Sequence, residues 1–361
     1  MAKKRTLPLA AAIAALTAAA SVHAQRIPID TNPAPDELRN IFTLQVENDF
    51  FNLFGRSDRD YTNGLRLGWL SPALPDLPDG LTRLTTIPTF FGEDPVSSVT
   101  RRLGISIGQN LYTPQNTDVS TPIFNDRPYA AWLYMAFAMQ STYKRVDPRT
   151  LQDIPVRLDT LQLDVGLVGP AAGGAFVQNN FHRLIGDTTA NGWANQLHNE
   201  PTIDLSFERR WRTNHGVVFE DPKLEYDVVP RIGAMLGNVQ TYASAGGTIR
   251  IGKDLQNDFG PARARPALPG SEGFIGEGFG WYFFIGADGE AVARNMFLDG
   301  NSDGSSIVHV THRPFVGEFQ AGLAILFRGM RISFTQVLRT PDFYEQDRWD
   351  QFASINVTFR Y

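Results

Sequence analysis

Asn48 and Asp49 close an alternating run, Phe42/Leu44/Val46, and Asp58-Arg59-Asp60-Tyr61-Thr62-Asn63-Gly64 opens the next one, Leu65/Leu67/Trp69. Two alternating segments around a short polar stretch describe a β-hairpin with its polar residues at the tip. The Asn48 amide, the Asp49 carboxylate and the Thr62 hydroxyl would then gather at one end of two paired strands, where they could bind a cation or aim a water. An ordinary turn is the plainer reading, because Asn and Asp favour turn backbones. A second polar pair lies farther along. Gln178 and His182 stand four apart within Gly173–Gly186, a stretch that reads as a short helix ended by Gly186 in the left-handed conformation. That spacing puts both side chains on one helix face. A lone histidine near a helix end is also favoured by the macrodipole alone. Its pairing with Gln178, at the same end of the fold as Asn48, Asp49 and Thr62, argues for a site instead.

The elements that would position these groups belong to an exported chain. Lys3-Lys4-Arg5, the Ala-rich apolar run from Leu7 to Ala20 and Val22-His23-Ala24 form a signal peptide over residues 1–24, with cleavage before Gln25. The run is too short and too Ala-rich for a good membrane helix. Loss of those three cations takes the formal charge from −5 to about −8, which argues against nucleic acid as a partner. The chain has no cysteine, so neither disulfides nor thiolate metal sites are available. Gln25 to Glu37 reads as disordered.

Residues 25–361 read as a single all-β domain. Leu103/Ile105/Ile107, Leu161/Leu163/Val165/Leu167 and Ile203/Leu205/Phe207 alternate with polar or small residues, so each strand has one apolar face. A soluble sandwich would turn that face inward; an outer-membrane barrel turns it to lipid. The last strand favours the barrel. It sets Ile355, Val357, Phe359 and Tyr361 on one face and ends on an aromatic residue, like the strand read by the barrel-assembly machinery that inserts such proteins. Aromatic residues at strand ends (Trp69, Trp132, Tyr134, Trp281, Tyr282, Phe315, Phe327) suit interfacial girdles. Twelve strands are expected, near 41–48, 61–71, 101–110, 128–142, 157–168, 202–212, 224–236, 239–252, 279–291, 315–327, 329–340 and 352–361. With that even number the connections 49–60, 111–127, 169–201, 237–238, 292–314 and 341–351 face outward. The expected fold is a twelve-stranded antiparallel outer-membrane β-barrel with short helices in the 169–201 loop, a second one from Asn191 to Leu197. Connections 72–100 and 253–278 are then unusually long for the periplasmic side. In the helical segment Phe176, Val177, Phe181, Leu184 and Ile185 supply an apolar stripe.

Asn48-Asp49, Asp60-Tyr61-Thr62 with Gly64, Gln109 with Tyr112 and Pro114, Asp126-Arg127, and the run Val168-Gly169-Pro170 to His182-Arg183, Ile185-Gly186 and Trp193 resemble the lipid A deacylase family. The resemblance covers most of the mature chain and is densest between residues 41 and 199. It implies a twelve-stranded outer-membrane barrel that removes an acyloxyacyl chain from the 3′ position of lipid A with the help of calcium. Lipid A, as part of lipopolysaccharide, and the surrounding outer-membrane lipids are the implied partners. The family's active-site Asn, Asp and Thr correspond to Asn48, Asp49 and Thr62, and its Gln and His to Gln178 and His182. The family also carries a basic pair shortly after the Tyr-x-Pro element, whereas Tyr112 to Ser120 here has no Lys or Arg. That difference bears on how a lipid A phosphate would be held, and Arg127 is the candidate substitute.

The chemistry such residues allow is ester hydrolysis. A neutral imidazole can take a proton from water as it attacks an acyl carbonyl, so His182 is the expected general base. Gln178 would position water or substrate. Asp49 is the expected Ca²⁺ ligand or the group orienting His182, while Asn48 and Thr62 would complete the shell or donate to the oxyanion. No serine nucleophile elbow is expected, so a serine acyl-enzyme gains no support. The competing class is a non-enzymatic barrel: a porin, an adhesin or a family member that only binds lipid.

Overall fold

The computed structural model describes residues 35–49, 60–74, 96–148, 153–186, 188–221, 223–260 and 278–361, together with Asp30, Pro33 and Leu151. The expected leader, residues 1–24, lies outside them, as do the hairpin tip at 50–59 and the stretches 75–95 and 261–277. The described residues form one antiparallel sheet of thirteen strand segments. The first five are β1 (Ile41–Asn48), β2 (Asp60–Leu70), β3 (Ser98–Thr113), β4 (Ala130–Val146) and β5 (Asp153–Val168). Then come β6 (Glu200–Trp211), β7 (Thr213–Glu220), β8 (Lys223–Gly237) and β9 (Gln240–Lys253). The last four are β10 (Gly280–Asn295), β11 (Phe315–Phe327), β12 (Met330–Arg339) and β13 (Asp350–Arg360).

Pairing of β1 with β13, from Ile41↔Arg360 to Asn48↔Ala353, helps close the sheet into a ring and removes a sheet edge. β6 and β7 both pair with β8, first as Asp204↔Gly237 to Arg210↔Arg231 and then from Thr213↔Val228 onward. They are successive halves of one stave interrupted at Arg212, so the barrel has twelve staves as expected. Several staves are longer than the sequence suggested. β3 and β4 run for 16 and 17 residues, beyond the ~9–11 that cross a bilayer. Their ends therefore stand clear of the apolar band and carry the loops.

Side chains alternate as the apolar pattern requires. Leu65, Leu67, Ile105, Ile107, Met135, Phe137, Val165, Ile203, Ile285 and Phe359 are exposed on the outer wall, whereas Arg66, Ser106, Gln162, Asp164, Ser206 and Thr358 are buried inside. The aromatic reading needs correction. Trp69, Trp281, Phe315 and Phe327 belong to the outward series, but Trp132, Tyr134 and Tyr282 are buried in the lumen. There they meet other rings: Trp132 stacks on Tyr134 at 4.3 Å, Tyr112 on Phe297 at 4.1 Å, and Tyr61 meets the edge of Phe352 at 4.9 Å. Phe297 reaches them from α2 (Met296–Asp299), a single turn capped by the Asn295 side chain. The lumen is thus filled with protein at the loop end.

Below that plug, ion pairs line the lumen together with uncharged polar residues. Arg339 bridges Glu290, Glu318 and Asp342, and Arg209 grips Asp159. Buried charges are tolerable only when paired and hydrogen-bonded in this way. The long connection after β9 contributes as well, through a 3-10 turn (Leu255–Asn257) that tucks Asp258 between Arg250 and Arg331. Burial alone would push the Asp258 carboxyl up, but those two guanidiniums hold it at about 2. Likewise, the segment expected to be disordered is docked at its end. Glu37 is buried and, with Asp30, receives the Lys144 ammonium at 2.6 and 2.8 Å. Arg102 donates to the Glu37 carbonyl.

Candidate active site

Asn48 ends β1 in the outward series that begins with Phe42, Leu44 and Val46, yet it is buried. It lies on a row of outward positions that crosses the wall through paired residues: Asn48↔Asn63, Asn63↔Leu111 and Leu111↔Ala131. Asp49 follows immediately and is only 2% exposed. Thr62 owes its placement to a β-bulge. Tyr61 pairs with Tyr112 and Asn63 with Leu111, leaving Thr62 as the extra residue between them. Strict alternation would aim Thr62 into the lumen beside the aromatic cluster. Instead its hydroxyl meets that of Thr113 at 2.7 Å, a residue of the outward series of β3. Bulges re-aim side chains in this fashion, and no residue type announces them.

Gln178 and His182 sit on α1 (Gly174–Ile185), which starts after Gly173 and ends at Gly186, both in the left-handed conformation. The helix lies against the outer wall. Leu111 and Ala131 point outward but are covered by Ala172, Ala190, Trp193 and the half-buried Ala175 and Val177. Close approach requires glycine at the first turn, since a Cβ on Gly174 would come within 2.5 Å of Ala131 and 2.6 Å of the Trp193 ring. Gln109 on β3 fastens the entry by donating to the Ala172 carbonyl at 2.6 Å. The buried residues of α1 are Gly174, Gln178 and His182, spaced four apart and so on one face. The helix therefore turns a polar stripe toward the protein, while Phe176 and Leu184 of the apolar stripe are exposed.

Each polar side chain in that stripe has a fixed neighbour. The Trp193 indole N–H donates to Gln178 Oε1 at 2.8 Å. His182 Nδ1 is hydrogen-bonded to the backbone carbonyl of Thr188. A carbonyl can only accept, so Nδ1 carries the proton and Nε2 of the neutral ring is the basic atom. The strand of chain that supplies this carbonyl is held in turn by Asn179, which exchanges two hydrogen bonds with the backbone of Ala190. Trp193 opens a 3-10 turn, Trp193–Asn195, in place of the longer helix expected from Asn191 to Leu197. Thr113, Thr188, Asn179 and Trp193 were not singled out from sequence as site residues. Thr188 acts through its backbone carbonyl, for which side-chain type gives no signal.

All five sequence-derived residues lie at the loop end, Asn48 and Thr62 on β1 and β2, Asp49 just past the end of β1, and the other two on a helix covering β3 and β4. Arg127 is committed elsewhere. It is 1% exposed, pairs with Asp60 at 3.1 Å and Asp342 at 3.3 Å, and lies over the Tyr112 and Phe343 rings. It ties two loops across the barrel mouth rather than reaching for a ligand. The serine-elbow pattern, against expectation, does occur as Gly104-Ile105-Ser106-Ile107-Gly108. It lies in the middle of β3, where Ser106 faces the lumen and accepts from Arg66, far from the strand-to-helix turn an elbow needs. Among the described residues no group of three or more His, Asp or Glu is placed to hold a metal.

The solved structure of LpxR from Salmonella typhimurium superposes with a TM-score of 0.67 at 22% identity, covering 88% of this chain and 99% of that one. The β domain of the Bordetella autotransporter BrkA gives a TM-score of 0.40 at 11% identity, over 90% of this chain and 98% of that one. The transport unit of AIDA-I from Escherichia coli gives 0.39 at 10% identity, over 98% and 97%. No curated protein matches significantly. A sequence profile of the family described as outer membrane protein LpxR matches residues 9–361, and this chain, an outer-membrane barrel, belongs to the LpxR family.

Proposed function

We propose that the protein is a lipid A 3′-O-deacylase, an ester hydrolase that uses His182 as general base. The observation that carries this reading is the hydrogen bond from His182 Nδ1 to the Thr188 carbonyl, which leaves Nε2 as the basic atom on the buried face of α1. Nε2 takes a proton from water as its oxygen attacks the acyl carbonyl, and returns that proton to the departing sugar-side oxygen. Gln178, oriented by the Trp193 N–H on its Oε1, would position the water or the substrate. The position of α1 on the outer wall supports a lipid substrate, since an acyl chain can approach from the leaflet without entering the filled lumen. That filled lumen also speaks against a porin.

Calcium fits as a proposal through donor chemistry. Asp49, Asn48 and Thr62 offer carboxylate, amide and hydroxyl oxygens, the hard ligands Ca²⁺ takes. With a single side-chain carboxylate among them, backbone oxygens would have to complete the shell. Bound there, the ion would supply positive charge for the developing oxyanion.

The deciding experiment is mass spectrometry of lipid A from cells with and without the protein. Loss of the mass of the 3′ acyloxyacyl chain is expected. Unchanged lipid A in cells that hold the folded barrel would make it a lipid-binding member of the family without catalysis. That outcome would fit the absence of a basic pair between Tyr112 and Ser120.

A further inference from the structure

A surface helix ordinarily buries its apolar stripe and shows its polar one to solvent, and α1 does the reverse. Gly174, Gln178 and His182 face the wall, whereas Phe176 is 74% and Leu184 82% exposed on the other side. Large exposed apolar groups gathered on one face mark a contact surface. The wall beneath tells what that surface meets. On β4 the outward series continues from Ala131, covered by the helix, to the exposed Leu133, Met135 and Phe137. On β3 it continues from Leu111 through Gln109 to the exposed Ile107 and Ile105. Each pair of residues advances about 7 Å along a strand, so α1 stands on the upper rim of the lipid-facing band with no gap between them. Charge agrees as well: Arg183 is exposed beside Phe176 and Leu184, and Gly174–Ile185 contains no acidic residue. An amphipathic helix with apolar and cationic groups on one side suits an anionic membrane interface.

We infer that the Phe176/Leu184 face of α1 is seated in the outer leaflet of the membrane, with Arg183 at the level of the lipid headgroups. The helix is then held between wall and lipid, its polar stripe on the protein and its apolar face among acyl chains. This inference rests on the barrel's place in the outer membrane and not on catalysis.

The absence of cysteine from the chain makes a direct test simple. Phe176→Cys, Leu184→Cys and, as a control at an exposed loop position, Asp303→Cys are each labelled with a fluorophore. The labelled full-length barrels are placed in phosphatidylglycerol vesicles with plain or brominated acyl chains. Heat-shifted gel mobility confirms folding, and both helix positions are exposed enough to accept the change. Labels at 176 and 184 should lose fluorescence in brominated vesicles and resist aqueous iodide, while the control does the opposite. Iodide quenching at 176 and 184 equal to the control would overturn the inference. So would protection from both quenchers, which would mean that a protein, a second copy included, covers the face. Because no hydrolysis is measured, these outcomes are separate from the fate of the proposed activity.

Discussion

Trp193 donates its indole N–H to Oε1 of Gln178 at 2.8 Å, and this one contact sets the orientation of the Gln178 amide. With the oxygen accepting from Trp193, the amide nitrogen is turned to the opposite side of the group. In the proposed hydrolysis Trp193 would act as a positioning residue, and its ring also packs against Tyr129 at 5.0 Å and over Leu111 and Ala131. Trp193→Phe keeps most of that packing and deletes the N–H. Hydrolysis should fall by about tenfold, the equivalent of about 1.4 kcal/mol and typical of one lost hydrogen bond. The diagnostic is the double variant. If Trp193 works through Gln178, Trp193→Phe adds nothing to Gln178→Ala; fully additive losses in kcat/KM would separate the two residues.

His182→Ala should leave a folded barrel, because the residue lies in a loop helix and pairs with no strand. Turnover should drop by at least about a hundredfold, the lower end for removal of a general base. His182→Asn, which retains a polar side chain without a basic nitrogen, should be as inactive as the alanine variant. Heat-shifted mobility reports the fold and acyl loss from purified lipid A reports activity. Wild-type turnover in either folded variant would reduce His182 to a buried structural histidine anchored to Thr188.

Calcium is tested by chelation. Deacylation should vanish with a chelator and return with added Ca²⁺, since an uncompensated oxyanion costs roughly 3–4 kcal/mol. Asp49→Asn should raise the Ca²⁺ concentration needed for half-maximal activity, and Thr62→Val should do so more mildly. Full activity in excess chelator would take the ion out of the mechanism and leave Asn48, Asp49 and Thr62 as hydrogen-bonding groups only.

The barrel was legible because lipid demands it. One apolar face per strand gives a period of two, and Ile355, Val357, Phe359 and Tyr361 announce a closing strand. Gly186 likewise marks the end of α1, since its φ of +75° is costly for other residues. What escaped sequence reasoning lies where that periodicity fails. Between Tyr129 and Met139 both faces of β4 are apolar, one toward lipid and one toward the aromatic plug, so nothing in the pattern says that Trp132 and Tyr134 point inward. The candidate site shows the same divide. His182 and Gln178 could be named from a four-residue spacing, but the bulge that re-aims Thr62 and the Thr188 carbonyl are backbone features. The buried polar stripe of α1 escaped for another reason: amphipathicity reveals two faces, and which one meets protein depends on whether the rest is water or lipid.

Asp258 makes the barrel's stability depend on acidity in a defined window. Its carboxylate takes hydrogen bonds from Arg250 and from Arg331, and from the Tyr282 hydroxyl at 2.8 Å, within the lumen. Desolvation there favours the neutral acid, but the two guanidiniums outweigh it and bring the group from an ordinary 3.8 down to about 2. A folded-state value below the unfolded one means that the unfolded chain binds the proton first. Stability from this group is thus complete above the ordinary value and is lost as pH falls from about 4 to about 2, a change on the order of 2 kcal/mol. Thermal unfolding followed by gel mobility should show the midpoint dropping across that interval. Asp258→Asn should be less stable at neutral pH, because Arg250 and Arg331 lose a counter-charge in a buried setting, a loss of about 3–5 kcal/mol. It should also flatten the acid step, having no proton left to take up at that position. Equal acid slopes in the variant and the parent would assign the step to other carboxylates of the lumen.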